Sequence, residues 1–379
     1  MSAGEYRQNF SGELAYKYFL PNLLPPKIKI DDEMIDLLIK SNSQLSVLEA
    51  LNSKIPSLNI FLSMYVRKEA LLSSQIEGTQ ASMDDVLDPN IKANSNQNLD
   101  EVINYIKAMN FGIKKLETMP LCNRLLRNIH SELMSGLRGG EKYPGEFRTS
   151  QNWIGGASSS LKTASYIPPA PHELDILLSN FEKYLNDENE KYPLIQIALL
   201  HYQFESIHPF LDGNGRVGRL LIVLFLLQRK ILSKPSLYIS YFLKLNRVEY
   251  YDRLSALRKN GDYEQWIKFF LKAIWQSALE ACNSIDELNA LYEKNLAKID
   301  ALPRNKNIKK LFLYINEHPI IDISKSASEL ELSYNTLSKS INTLKELGIL
   351  VLNDENKSRN KLYFYEDYLE ILRKDTQIL

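Results

Sequence analysis

"HPFLDGNGRVGR", residues 208–219, places a histidine, an aspartate, two arginines and three glycines within one short stretch. Its surroundings decide what it can be. Upstream, "YPLIQIALLHYQFESI" (192–207) has helical spacing, and downstream "RVGRLLIVLFLLQRK" (216–230) is helical and almost wholly apolar, as in a buried central helix. The stretch is therefore a tight connection between two helices. Gly213, Gly215 and Gly218 have the G-x-G-x-x-G spacing of a dinucleotide site. That site needs a preceding strand and an acidic residue about 20 positions on. The preceding run is helical, and residues 231–245 contain no acid. A zinc site would need His201 and His208 on one helical face with Asp212. His208 precedes Pro209, and a residue before proline avoids the helical region.

The remaining reading is an anion site. Free N–H groups and the dipole make a helix N-terminus attractive to phosphate. Gly213, Asn214 and Gly215 open the second helix, and glycine permits close approach of phosphate oxygens. Arg216 and Arg219 share one side of its first turn. Asp212 at the rim suits Mg²⁺, which takes one or two carboxylates plus substrate phosphates. His208 on the loop is a candidate general base.

The whole chain fits an ordinary soluble protein. It has 379 residues, 44% hydrophobic and 24% charged, with 46 basic and 46 acidic residues and no net charge. That balance gives no general drive toward nucleic acid or acidic membranes. Two distant cysteines, Cys122 and Cys282, exclude a disulfide framework or cysteine-rich zinc site. The N-terminal "MSAGEYRQNF" lacks a signal pattern, and the longest apolar run, "LLIVLFLL" (220–227), is too short to cross a bilayer. A cytoplasmic protein with no membrane role is expected.

Outward from the motif, the pattern predicts a mainly α fold. Residues 1–30, with "FLPNLLPPKIKI", read as an extended arm. Helical spacing runs over 31–87 with a break near Ser41, then over 99–116, 121–137, 173–187, 193–206, 247–259, 263–281 and 283–299. Between Arg148 and Pro168, "NWIGG" and "ASYIPP" predict a β-hairpin. Beyond a linker at "IDALPRNKN", residues 303–379 predict three short helices and a two-stranded ribbon, the order of a winged helix-turn-helix. Lys339 and Lys345 on its candidate recognition helix and Lys357, Arg359 and Lys361 on its wing permit DNA contact. The near-balanced charge of this unit suits a protein-interaction role equally.

The motif resembles the signature of Fic proteins, H-x-F-x-[DE]-G-N-G-R-x-x-R, at every fixed position. "IHSELM", "PGEFR…NWIGG…ASYIPP" and "HYQFESI" extend the resemblance over residues 100–270. It implies a helical N-terminal region (1–100), a Fic core (101–300) with a β-hairpin flap, and the C-terminal unit (303–379). It also implies an enzyme that transfers AMP from ATP to a Ser, Thr or Tyr hydroxyl of a target protein or of itself. His208 would deprotonate the acceptor and Asp212 would hold Mg²⁺. ATP would lie along Gly213, Asn214, Gly215, Arg216, Val217, Gly218 and Arg219, with Tyr250 near the nucleotide. Phe210 would anchor the loop. The flap, 148–168, would pin the target by strand addition.

"LLSSQIEGTQ" matches the family's inhibitory motif, [ST]-x-x-x-E-[GN], through Ser73, Glu77 and Gly78. Glu77 would pair with Arg219 and block the terminal phosphate. A capping box at Ser74 and Glu77 is the plainer alternative, but the helical pattern ends here, and a start signal comes later at Ser82-x-x-Asp85. Other readings kept open are a different donor, AMP removal assisted by Glu77, a nucleotide-sensing transcriptional regulator without turnover, and a homodimer.

Overall fold

The computed structural model describes residues 2–54, 58–90, 96–136, 142–156, 158–353 and 361–378. The chain is mainly helical, as the spacing predicts, with two small antiparallel sheets. Its first residues are not an extended arm. β1 (Gly4–Asn9) and β2 (Tyr16–Pro21) form a hairpin, with Tyr6 opposite Phe19. β1 is polar and mostly exposed, so no apolar alternation marks it in the sequence.

Among the described residues, eleven α-helices follow: α1 (Asp32–Lys54), α2 (Leu58–Ile76), α3 (Met83–Leu87), α4 (Gln97–Leu116), α5 (Asn123–Met134), α6 (Leu174–Leu185), α7 (Pro193–Ile207), α8 (Asn214–Gln228), α9 (Ser240–Leu245), α10 (Arg247–Asn260) and α11 (Tyr263–Asp300). Two expected breaks are absent. α1 runs through Ser41, whose hydroxyl lies 2.7 Å from the Leu37 carbonyl and 2.8 Å from that of Leu271. A serine so satisfied costs a helix little. α11 is one helix where two were expected. Leu271, Ile274, Ala278, Cys282 and Ile285 are buried along it without interruption, so packing against α1 carries it past the polar "NSIDE" stretch.

α7 and α8 form the centre. Every residue of α7 from Leu194 to Ile207 is buried, and α8 is buried from Arg216 to Leu226. Each fully buried leucine or isoleucine there contributes roughly 2 kcal/mol through removal of apolar surface from water. One continuous apolar cluster runs from Ala3 to Leu372.

The C-terminal unit holds α12 (Lys306–Glu317), β3 (Ile320–Asp322), α13 (Ile323–Glu329), α14 (Tyr334–Glu346), β4 (Val351–Leu352), β5 (Leu362–Phe364) and α15 (Glu366–Arg373). The sheet order is β3-β5-β4, so a third strand and a fourth helix join the expected pattern. Lys357 and Arg359 lie outside the described residues. This unit leans on α2. Arg67 Nη1 donates to the Glu317 carbonyl, and Gln75 Nε2 donates to the Thr376 carbonyl at 2.9 Å. Arg373 grips Asp84 through two bonds of 2.7 and 2.9 Å. Lys244 Nζ donates to the carbonyls of Asp375 and Gln377.

Candidate active site

The α7–α8 connection is shaped by two left-handed residues. His208 ends α7 at φ 50° and Gly213 precedes α8 at φ 75°. The loop is held from inside. Asn214 Oδ1 accepts from the Phe210 amide at 2.9 Å, and its Nδ2 donates to the Phe210 carbonyl at 2.8 Å. Phe210 is fully buried and stacks on His130 at 3.8 Å between ring centroids, which places it as the expected anchor.

Three supports were not read from the sequence. His130, on α5, accepts from the Gly145 amide through Nδ1. Its proton is therefore on Nε2, which donates to the Asp212 carbonyl at 3.0 Å. Arg148 donates to the carbonyls of His208, Pro169 and Ile207. Asn152 donates to those of His208 and Phe210. The helical spacing of α5 could have flagged His130 as a buried polar group needing partners; Arg148 and Asn152 carry no such signal.

The loop opens into a cleft of about 780 Å³, lined by Glu77, His208, Asp212, Gly213, Asn214, Gly215, Arg216 and Arg219 on one side. That volume is in the range of nucleotide-sized sites. Burial, followed by the charges of Arg148 and Arg258, pushes the His208 pKa down to about 4. The imidazole is therefore neutral at pH 7, and its Nδ1 is buried without a partner. Arg216 has a nearly buried side chain, 3.6 Å from Glu101 and 3.8 Å from Asp212, and its Nε and Nη1 make no hydrogen bond.

Arg219 is turned toward α2. Its Nε donates to Ser73 Oγ at 2.8 Å, and its Nη2 donates to the Ser73 carbonyl at 3.0 Å and to Glu77 Oε1 at 2.6 Å. Burial works to lower the Arg219 pKa, but the Glu77 charge and smaller neighbours raise it on balance. Burial raises the Glu77 pKa, and the Arg219 charge and hydrogen bond more than reverse this. Glu77 stands just past the end of α2, and Gly78 follows at φ 102°, a conformation that favours glycine. Ser82 and Asp85 form the capping box, at the start of α3.

Asp212 lines the cleft beside Gly213, at the N-terminal end of α8. It accepts from the Gly213 amide at 2.6 Å and is paired with Lys142. Burial would raise its pKa, but Lys142 and then Arg216 hold it below the ordinary value. Among the described residues no three histidines, cysteines or acids cluster as a metal site. Mg²⁺ takes one or two carboxylates with its other ligands from phosphate, and at Asp212 it would compete with Lys142.

Three expected nucleotide contacts are buried, although Tyr250 also lines the cleft. Val217 is fully buried in the core. Gly218 packs against Phe204 and Glu205, which a Cβ there would strike. Tyr250 is 1% exposed, and its hydroxyl is 2.8 Å from His201 Nε2. Its neighbour Tyr251 also lines the cleft and is 38% exposed.

The flap is less regular than a hairpin. Ile154 and Tyr166 form a single antiparallel bridge, and turns at Gly156 and Ser160 take up the segment between them. Ala157 lies outside the described residues. Tyr166 donates to the Ser206 carbonyl at 2.7 Å, with the Arg258 guanidinium 3.8 Å from its ring centroid. Trp153 is exposed.

Comparison with known proteins agrees with this geometry. Residues 120–226 match the Fic/DOC family, and residues 35–114 match the Fic/DOC family N-terminal region. Over 127 residues, 33% of this chain, the sequence is 39% identical to the protein adenylyltransferase Fic of Drosophila mojavensis and 38% identical to that of Culex quinquefasciatus. The matched stretch is 22% of each relative's length. A crystal structure of a Fic family protein from Desulfovibrio desulfuricans G20 covers 90% of this chain and 98% of its own, with TM-score 0.57 and 20% identity. A Fic domain containing signaling protein from Bacteroides thetaiotaomicron covers 67% of this chain and 97% of its own, with TM-score 0.51 and 16% identity. The chain thus contains a Fic/DOC family domain preceded by a Fic/DOC N-terminal region.

Proposed function

We propose that this chain, with its Fic/DOC family domain, is a protein adenylyltransferase that moves AMP from ATP to a hydroxyl and is restrained by its own Glu77. One observation carries the reading. The α7–α8 loop brings a neutral histidine, a helix N-terminus, two arginines and a carboxylate to one cleft.

The triphosphate lies against the amides of Gly213, Asn214 and Gly215, where charge developing in the transition state meets preorganised donors. Arg216 offers two unbonded donors to phosphate oxygens. His208 takes the acceptor proton as the hydroxyl attacks the α-phosphorus, and pyrophosphate leaves. Asp212 would hold Mg²⁺, which when bound neutralises phosphate charge. The Glu77 carboxylate occupies the position on Arg219 that a terminal phosphate would take. The side of the cleft formed by Trp153, Ile154 and Tyr166 receives the acceptor segment.

The test is incubation with α-labelled ATP and Mg²⁺ of wild type, Glu77→Gly, and Glu77→Gly with His208→Ala. Label should rise with the first change and vanish with the second. No label in any version, with a lysate supplying acceptors, defeats the reading.

Residues 303–379 fit a winged-helix module in their order α12-β3-α13-α14-β4-β5. Besides α9 and α11, it contacts α2 and the segment beyond it, which favours a role in controlling the enzyme over an independent one.

A further inference from the structure

The cleft lining combines two chemistries. Arg216, Arg219 and the α8 N-terminus attract phosphate. The flap and the N-terminal hairpin contribute Trp153, Ile154, Tyr166 and Tyr6 to the same lining. Displacement at phosphorus runs in line, with the acceptor opposite the departing pyrophosphate. If the pyrophosphate leaves toward the arginines, the acceptor comes from the lining that α8 does not supply.

Three side chains that the flap and the hairpin place in the lining carry a hydroxyl, and two are committed. Ser165 Oγ donates to the Ile154 carbonyl at 2.8 Å. The Tyr166 hydroxyl is buried and donates to the Ser206 carbonyl. Tyr6 is 58% exposed, and its hydroxyl makes no hydrogen bond to a described residue. Its ring is nonetheless positioned. Tyr6 stands opposite Phe19 in the hairpin register and packs edge to face on it at 5.4 Å. Phe19 in turn lies 6.3 Å from the Tyr166 ring, and its amide donates to the Ile167 carbonyl at 3.0 Å. The hairpin is thereby fastened to the flap, with one free phenol lining the cleft.

We infer that Tyr6 is an acceptor of AMP within its own chain. This rests on the transferase reading above. The Tyr6 oxygen forms a bond to the α-phosphorus, its proton passes to the neutral His208 imidazole, and the bond from the α-phosphorus to the bridging oxygen breaks to release pyrophosphate. The product is an aryl phosphodiester on β1.

The experiment uses the full chain carrying Glu77→Gly, with Mg²⁺ and α-labelled ATP, followed by peptide mapping. Label is expected on the peptide containing Tyr6, at a fractional rate independent of protein concentration, and to fall at least tenfold in Tyr6→Phe. That change keeps the ring against Phe19 and removes only the nucleophile. Label confined to other residues, label unchanged in Tyr6→Phe, or a fractional rate that grows with protein concentration overturns the inference. Transfer to an added acceptor protein with none to Tyr6 also overturns it while upholding the transferase. If Glu77→Gly fails to bind ATP by calorimetry and labels nothing, both readings fall.

Discussion

Glu77 Oε1 stands 2.6 Å from Arg219 Nη2, and the same oxygen fills the space that a Cβ on Gly215 would need. One carboxylate thus sits on both the guanidinium and the first turn of α8. An anion from the solution must displace it to reach either. Glu77→Gly should therefore tighten ATP binding by tenfold or more, measured by calorimetry in the presence of Mg²⁺. Glu77→Gln, which keeps the shape but loses the charge that strengthens the bond to Arg219, should fall between. Equal affinity in all three forms would show that the pair does not obstruct the site.

Asn214 is a brace for the loop as well as part of the helix opening. Asn214→Ala would leave the buried Phe210 amide without its partner and take one of two donors from the Phe210 carbonyl. An unsatisfied buried group costs about 1–3 kcal/mol. Urea denaturation should show a loss of that size with an unchanged slope. A variant as stable as wild type would mean the loop finds other partners.

Adjacent tyrosines on α10 should separate cleanly. The Tyr250 hydroxyl serves His201 in the core. Tyr250→Phe should lower stability by about 1 kcal/mol and leave ATP affinity within twofold. Tyr251→Ala, on the exposed neighbour, should weaken ATP binding several-fold and change stability less. The reverse pattern would restore Tyr250 as the nucleotide contact.

Three buried or half-buried histidines should resist protonation. Burial pushes His130 to about 4 and His201 to about 3, and His208 lies near 4. The unfolded chain binds these protons near pH 6.5. Each group's contribution to stability is therefore present above pH 6.5 and lost as pH falls toward its folded value. Glu69 and Glu205, both raised to about 7 chiefly by burial, act in the opposite sense, since their contribution is lost as pH rises through 7. Global melting sums these opposing effects, so imidazole NMR shifts are the measurement. All three rings should remain neutral at pH 5.5. A ring titrating near 6.5 would mean that its site is wetter than the packing indicates.

The helices around the site were legible because α7 and α8 repeat their apolar positions without a gap and the glycines between them leave few conformations. The pairing of Arg219 with Ser73 and Glu77 was legible only through the resemblance, since the partners are separated by more than 140 positions. The supports of the loop were not legible. Arg148 and Asn152 act through side-chain bonds to backbone carbonyls, and no periodicity marks such bonds. Local polarity misled at Ser41 and after Cys282, where packing between α1 and α11 overrides a weak break signal. β1 escaped notice for the opposite reason, because an exposed strand paired on one edge needs no apolar alternation.

The bond from Gln75 to the Thr376 carbonyl falls two positions before Glu77. The stretch that makes it follows Arg373, itself clamped to Asp84 a few positions beyond Gly78. Free energy along such a path has no preferred direction. A ligand of residues 303–373 would shift the population in which Arg219 is free only if it favoured a different seating of this stretch. By the same factor, ATP bound at Arg219 alters the affinity for that ligand. Titrating one and reading the other would measure a single coupling constant from both ends.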